Sequence, residues 1–121
     1  MTTTPEGRVA AALRQAVIEA GGEIRKLRWE GRNGAPDYFV ILRGKVWLIE
    51  CKAPGKRPRA SQMLEFERLL QAGINVLVID NAAYARGLVE ILTTCGCVAG
   101  SRETFCSISD FKFQRYRKKC D

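Results

Sequence analysis

The run Asn75-Val76-Leu77-Val78-Ile79-Asp80 constrains the fold more than any other stretch of this chain. A short segment of this kind, apolar throughout between Asn75 and Asp80, is typical of a strand buried on both faces, and such a strand needs cover above and below. Helical patterns flank it on either side. Ala60 to Ala72 carries Met63, Phe66, Leu69 and Leu70 on one face and stops at Gly73, and about Ala82 to Leu92 reads as a further helix.

The first half of the chain supplies the rest of a sheet. A helix is expected from about Pro5 to Ala20: Thr4 can cap it, Pro5 suits its first position, and Gly21-Gly22 stop it. Its apolar stripe is Val9, Leu13, Ala16, Val17 and Ala20; Glu6 falls on that same inward stripe, whereas Glu19 points to the other side. Strands follow at about Ile24 to Trp29, Tyr38 to Leu42 and Val46 to Cys51. Arg43-Gly44 reads as the tight turn of an antiparallel hairpin. Gly31-Arg32-Asn33-Gly34-Ala35-Pro36 is a bent loop before the hairpin, and Ala53 to Pro58 is a basic loop after it. The order is α-β-β-β-α-β-α: an α/β fold with a mixed central sheet flanked by helices. At 121 residues the chain suits a single domain over 1–121, with 93–121 an extension ending in a basic tail. No run is long enough to span a membrane, and Met1-Thr2-Thr3-Thr4-Pro5 is not a signal peptide, so a cytoplasmic setting is expected.

Composition narrows the chemistry. There is no histidine, which excludes Ser–His and Cys–His nucleophile pairs, histidine metal sites and histidine general bases. Twenty Lys and Arg against thirteen Asp and Glu give a net charge of +7, a balance that favours polyanions, nucleic acid above all. Of five cysteines, Cys51 lies in a strand, while Cys95, Cys97, Cys106 and Cys120 come late without the paired spacing of a zinc knuckle; they read as ordinary thiols.

The hairpin carries the constellation that matters. Alternation along its second strand puts Val46, Leu48, Glu50 and Lys52 on one face, with Lys45, Trp47, Ile49 and Cys51 on the other. Asp37 opens the first strand, so antiparallel pairing through Arg43-Gly44 brings Asp37, Glu50 and Lys52 together at one edge of the sheet. Two carboxylates there are costly to desolvate unless a cation neutralises them, and oxygen ligands without His or Cys select Mg²⁺ or Mn²⁺. Two acids, a divalent ion and a lysine suit phosphodiester hydrolysis; a surface ion pair of Glu50 with Lys52 is the plainer alternative.

In this order of motifs, Gly34-Ala35-Pro36-Asp37, Glu50-Cys51-Lys52 and Gln62, the chain resembles the PD-(D/E)xK nuclease superfamily, and in particular its VRR-NUC (virus-type replication–repair nuclease) branch. The resemblance runs from about residue 6 to residue 92. It includes Glu6, Val9, Leu13, Val17 and Gly21-Gly22 at the start, Ala53-Pro54-Gly55 after the lysine, and Leu69, Gly73 and Val76 to Asp80 beyond. It implies a restriction-endonuclease-like fold in which Asp37, Glu50 and the backbone carbonyl of Cys51 coordinate Mg²⁺, with Mn²⁺ able to substitute. Lys52 would orient the nucleophilic water and stabilise the transition state. Glu6 would be a further acid that binds through water or holds a second ion, so one or two ions per site are expected, and Gln62 would hydrogen-bond within the site. Many relatives carry Ser-Pro shortly before the glutamine, where this chain has Arg59-Ala60, which leaves the usual helix cap open.

Small stand-alone members of this branch are often phage-encoded homodimers that cut branched DNA such as Holliday (four-way) junctions. The resemblance therefore implies a DNA repair-type endonuclease acting in a bacterial or phage-infected cell, with two active sites on opposite strands of a symmetric junction. The expected DNA contacts are Lys56, Arg57 and Arg59 beside the site, Arg32 in the glycine loop with Arg25, Lys26 and Arg28 extending that face, and Arg115, Arg117, Lys118 and Lys119 in the aromatic-basic tail. Two other readings compete: a non-catalytic nucleic-acid-binding module on a nuclease fold, and a restriction-type, sequence-specific endonuclease.

Overall fold

A computed structural model describes residues 4–94. The order is α1 (Pro5–Glu19), β1 (Glu23–Lys26), β2 (Tyr38–Leu42), β3 (Lys45–Cys51), α2 (Ala60–Gln71), β4 (Asn75–Ile79) and α3 (Ala82–Thr94). The strands form one sheet in the order β1-β2-β3-β4. The first two pairings are antiparallel and β3–β4 is parallel, with α2 as the crossover. The late cysteines and the basic tail, including Arg115, Arg117, Lys118 and Lys119, lie outside the described residues. Among the described residues no helix is long and apolar enough to cross a membrane.

Thr4 caps α1: its Oγ1 accepts the Gly7 N–H at 2.9 Å, satisfying one of the helix's orphan donors. Val9, Ala12, Leu13 and Val17 are buried against the sheet, but Glu6 is exposed. The apolar stripe therefore begins at Val9 as its spacing suggests, but Glu6, expected on the same inward face, lies in the exposed first turn. β1 is also shorter than the Ile24–Trp29 run. Its register ends at Lys26 opposite Tyr38, and after one further bond, Leu27 N–H to the Asp37 carbonyl at 2.8 Å, the chain leaves the sheet.

The hairpin turn has φ of 53° at Arg43 and 78° at Gly44. Two successive left-handed residues match the twist of the flanking strands. Arg43 also donates from Nη1 to the Thr93 carbonyl at 2.8 Å, joining the turn to the last turn of α3.

α1 and α3 pack against each other on one sheet face, while α2 lies across the other beside β4. All of β4 and the Trp47–Cys51 part of β3 are buried. Along β2 only alternate residues are: Tyr38, Val40 and Leu42 face α1, while Phe39 and Ile41 on the α2 side are half-buried. The α2 face is thus left partly open next to Asp37. On α2 itself the buried residues are Gln62, Glu65, Phe66 and Leu70. Met63, expected inward, is exposed like Leu64, because the inward face is rotated to accept two polar residues of the site.

Candidate active site

Four strand ends meet at one edge of the sheet. The β2–β3 register sets Tyr38 opposite Ile49, so the next pair outward is Asp37 opposite Glu50, on the same face. Asp37 Oδ2 accepts the Cys51 N–H at 2.9 Å. A side chain thus closes the hairpin where the backbone ladder ends. Glu50 is 2% exposed. Its Oε2 receives two donors, Lys52 Nζ at 3.1 Å and Gln62 Nε2 at 2.9 Å. Its Oε1 is buried and has no hydrogen-bond partner. Burial and then the neighbouring Asp37 charge push the Glu50 carboxyl above the usual carboxylate range, against the opposing pull of Lys52 and Gln62. Glu50 is therefore an acid held at an energetic cost, with one oxygen left over.

Gln62 explains how the helix starts without the relatives' Ser-Pro. Its Oε1 accepts the Arg59 N–H at 2.8 Å, the reciprocal half of a capping box. Arg59 itself makes no side-chain cap. Because Oε1 is committed to the cap, the amide is fixed with Nε2 toward Glu50. One residue thereby begins α2 and orients the buried acid.

Glu65, three residues on, belongs to the same support and is not among the residues that the sequence motifs single out. It is buried, pairs with Arg32 at 2.7 Å and lies 3.9 Å from Arg68. Gly34, at φ 96°, brings the loop backbone so close to Glu65 and Ser61 that a Cβ there would lie 2.9 Å from the Glu65 Cβ. The loop leading to Pro36-Asp37 is thus fastened to the helix that carries Gln62. A Glu at the i+3 position from Gln62 with an Arg in a glycine loop was the only available signal, and that pattern does not identify a pair in advance. Arg32, expected to touch DNA, pairs with Glu65 through Nη2 while about half of its side chain stays exposed.

Glu6 is exposed at the start of α1, yet its charge acts on the Cys51 thiol at the edge of the sheet. Burial pushes that thiol up, Asp37, Glu50 and Glu6 add to the shift, and Arg14 opposes it. A thiol so placed resists ionisation, which disfavours it as a nucleophile. Lys56, Arg57 and Arg59 are exposed and form no ion pair among the described residues.

The same atoms test whether a divalent cation fits. No group of three or more His, Cys, Asp or Glu side chains is close enough to hold one among the described residues, so Glu6 does not complete a three-acid cluster. Two carboxylates and the main-chain carbonyl of Cys51 remain as hard oxygen donors, and the unpartnered buried Glu50 Oε1 is the atom such an ion would satisfy. The residues fit the group.

A mixed sheet with two acids and a lysine at the edge, and helices on both faces, is an α/β nuclease architecture. No family model matches the chain. A solved structure described as "VRR_NUC domain" superimposes with a TM-score of 0.68 at 40% identity, covering 73% of this chain and 97% of that one. "Putative nuclease p44" of Acyrthosiphon pisum secondary endosymbiont phage 1 is 42% identical over 66 residues, which is 54% of this chain and 71% of that protein. The chain belongs to the VRR-NUC family of nucleases.

Proposed function

We propose that this protein is a Mg²⁺-dependent, structure-selective DNA endonuclease that cuts branched DNA such as four-way junctions as a homodimer. The observation that carries the reading is Glu50: a buried carboxylate beside Asp37, with Lys52 and Gln62 on one oxygen and no partner on the other. Asp37, Glu50 and the Cys51 carbonyl would hold Mg²⁺, or Mn²⁺ in its place. When bound, the ion polarises the scissile phosphate and lowers the pKa of an attacking water. Lys52, held against Glu50, orients that water and meets the negative charge that develops during attack. Gln62 keeps Glu50 in place, and Glu6 acts from the rim through water or a second ion. Lys56, Arg57 and Arg59 grip the phosphate backbone beside the cut.

The family relationship supports a nuclease, and the net charge of +7 supports a polyanionic substrate. The branched substrate and the dimer rest on the sequence resemblance and on symmetry: two sites related by a two-fold axis can nick opposite strands of a junction. The experiment is a panel of labelled four-way, flapped, bubble and linear DNA with Mg²⁺, for wild type and Lys52→Ala. Paired symmetric nicks on the junction alone, absent from the variant, are expected. Equal cutting of every substrate removes the structure selectivity, and DNA binding without cutting leaves only a binding module.

A further inference from the structure

We propose that Arg14 of α1 and Lys26 of β1, gathered over the ring of Tyr38, form a phosphate clamp for the DNA backbone. It lies on the flank of the site away from the Ala53–Pro58 loop. This inference rests on the reading of the protein as a DNA-cutting enzyme.

The Arg14 guanidinium lies 5.5 Å from the Tyr38 ring centroid, and the Lys26 ammonium lies 5.9 Å from it. Both cationic side chains are exposed, while the ring itself is only 6% exposed. A cation over an aromatic face is attracted by it, but two cations sharing one ring repel each other. Their neighbours avoid that cost. Arg25 is paired with Glu23 at 2.8 Å, and Arg32 is paired with Glu65. Among the described residues neither Arg14 nor Lys26 has a carboxylate within ion-pair distance. An anion seated between them converts the repulsion into two attractions, and a phosphate suits a guanidinium beside an ammonium.

Position decides which phosphate. Lys26 is the register partner of Tyr38, and the next residue of each strand is joined by the Leu27 N–H to Asp37 carbonyl bond. The charge of Arg14 reaches the Cys51 thiol, next to Glu50. Lys26 therefore stands at the catalytic end of the sheet, on β1, two strands from Glu50 on β3, with Arg14 of α1 over the same ring. Both lie on the α1 face, and Asp37 and Glu50 on the α2 face, of that one end. Two strand spacings come to roughly 10 Å, the axial rise of about three nucleotides. With Lys56, Arg57 and Arg59 following β3, cations stand on both sides of the acid pair. A backbone strand laid across the sheet's end is held on each side of the scissile bond.

The test measures equilibrium binding of a labelled duplex over a salt series, with every variant in the full-length Lys52→Ala background so that nothing is cut. Arg14→Gln with Lys26→Gln is expected to weaken binding and to lower the slope of log affinity against log salt by about 0.9, the release of one phosphate's counterions. Arg86→Gln, a charge removed from exposed α3, is expected to leave the slope alone. A charge-preserving swap, Arg14→Lys with Lys26→Arg, is expected to restore it. A double Gln variant with the parent's slope, while Lys56→Gln with Arg57→Gln lowers it, overturns the clamp and leaves the DNA reading intact. A swap that binds as poorly as the Gln variant also overturns it, because the loss is then structural. A parent that binds no DNA overturns both readings.

Discussion

β3 and β4 run side by side in parallel, and both are buried through their central residues, yet Glu50 stands in register with Val78. From Val76 to Ile79, β4 is what burial on two faces favours: apolar, largely β-branched and without ionisable groups, with the buried amide of Asn75 confined to its first position. β3 follows the same rule through Trp47, Leu48 and Ile49, then breaks it at the next position. The break is not random, because Lys52, Gln62 and Asp37 all converge on it. Neighbouring strands under one packing constraint thus separate what the fold requires from what it tolerates for chemistry.

The comparison can be broken most sharply at Lys52. Lys52→Ala should lower kcat on cleavable DNA by roughly 10²–10³-fold, the scale for removing one preorganised charge, with little change in melting temperature. In β4, Leu77→Ala should do the reverse. It should cost about 3 kcal/mol by urea unfolding, and the remaining folded fraction should keep its turnover. If Leu77→Ala abolishes turnover in fully folded protein, the division between the strands fails.

Glu50→Gln sharpens it further. The folded-state pKa of Glu50 is raised, so the charged form opposes folding, and stability falls as pH rises from the ordinary carboxylate value through the raised one. Glu50→Gln should therefore be more stable than wild type near neutral pH, by about 1 kcal/mol, and inactive. The gain should shrink as the pH approaches 4.5, which thermal melts at two pH values would show. Similar in size and opposite in sign is Gln62→Ala, expected to cost about 1 kcal/mol through the lost cap. Gln62→Glu should keep the cap but set a second carboxylate against Glu50, so its activity should fall further than its stability.

Much of this was legible in the sequence where one local rule decides. The apolar run at Val76–Ile79, the Arg43-Gly44 turn and the alternation from Val46 to Lys52 fix strands, register and the Asp37–Glu50–Lys52 edge. Where two rules compete, local pattern misleads. Met63 fits an apolar stripe, but α2 turns Gln62 and Glu65 inward to reach Glu50 and Arg32, and Met63 goes to solvent. Trp29 ends the stretch expected as a strand from Ile24, but β1 ends at Lys26 because its partner strand begins at Tyr38. Glu6 shares a stripe with Val9, yet helix periodicity says nothing of where the sheet ends beneath it. The open oxygen of Glu50 is a property of three elements together, and no one segment announces it.

The most direct test of the central claim is a thermal melt of wild type and Glu50→Gln over rising Mg²⁺ or Mn²⁺ in the absence of DNA. If the buried acid is kept for a cation, wild type gains stability with metal concentration as a ligand bound to the folded state must give, and Glu50→Gln does not. Equal shifts in both proteins would mean that the ion binds elsewhere, and that the cost of burying Glu50 has another cause.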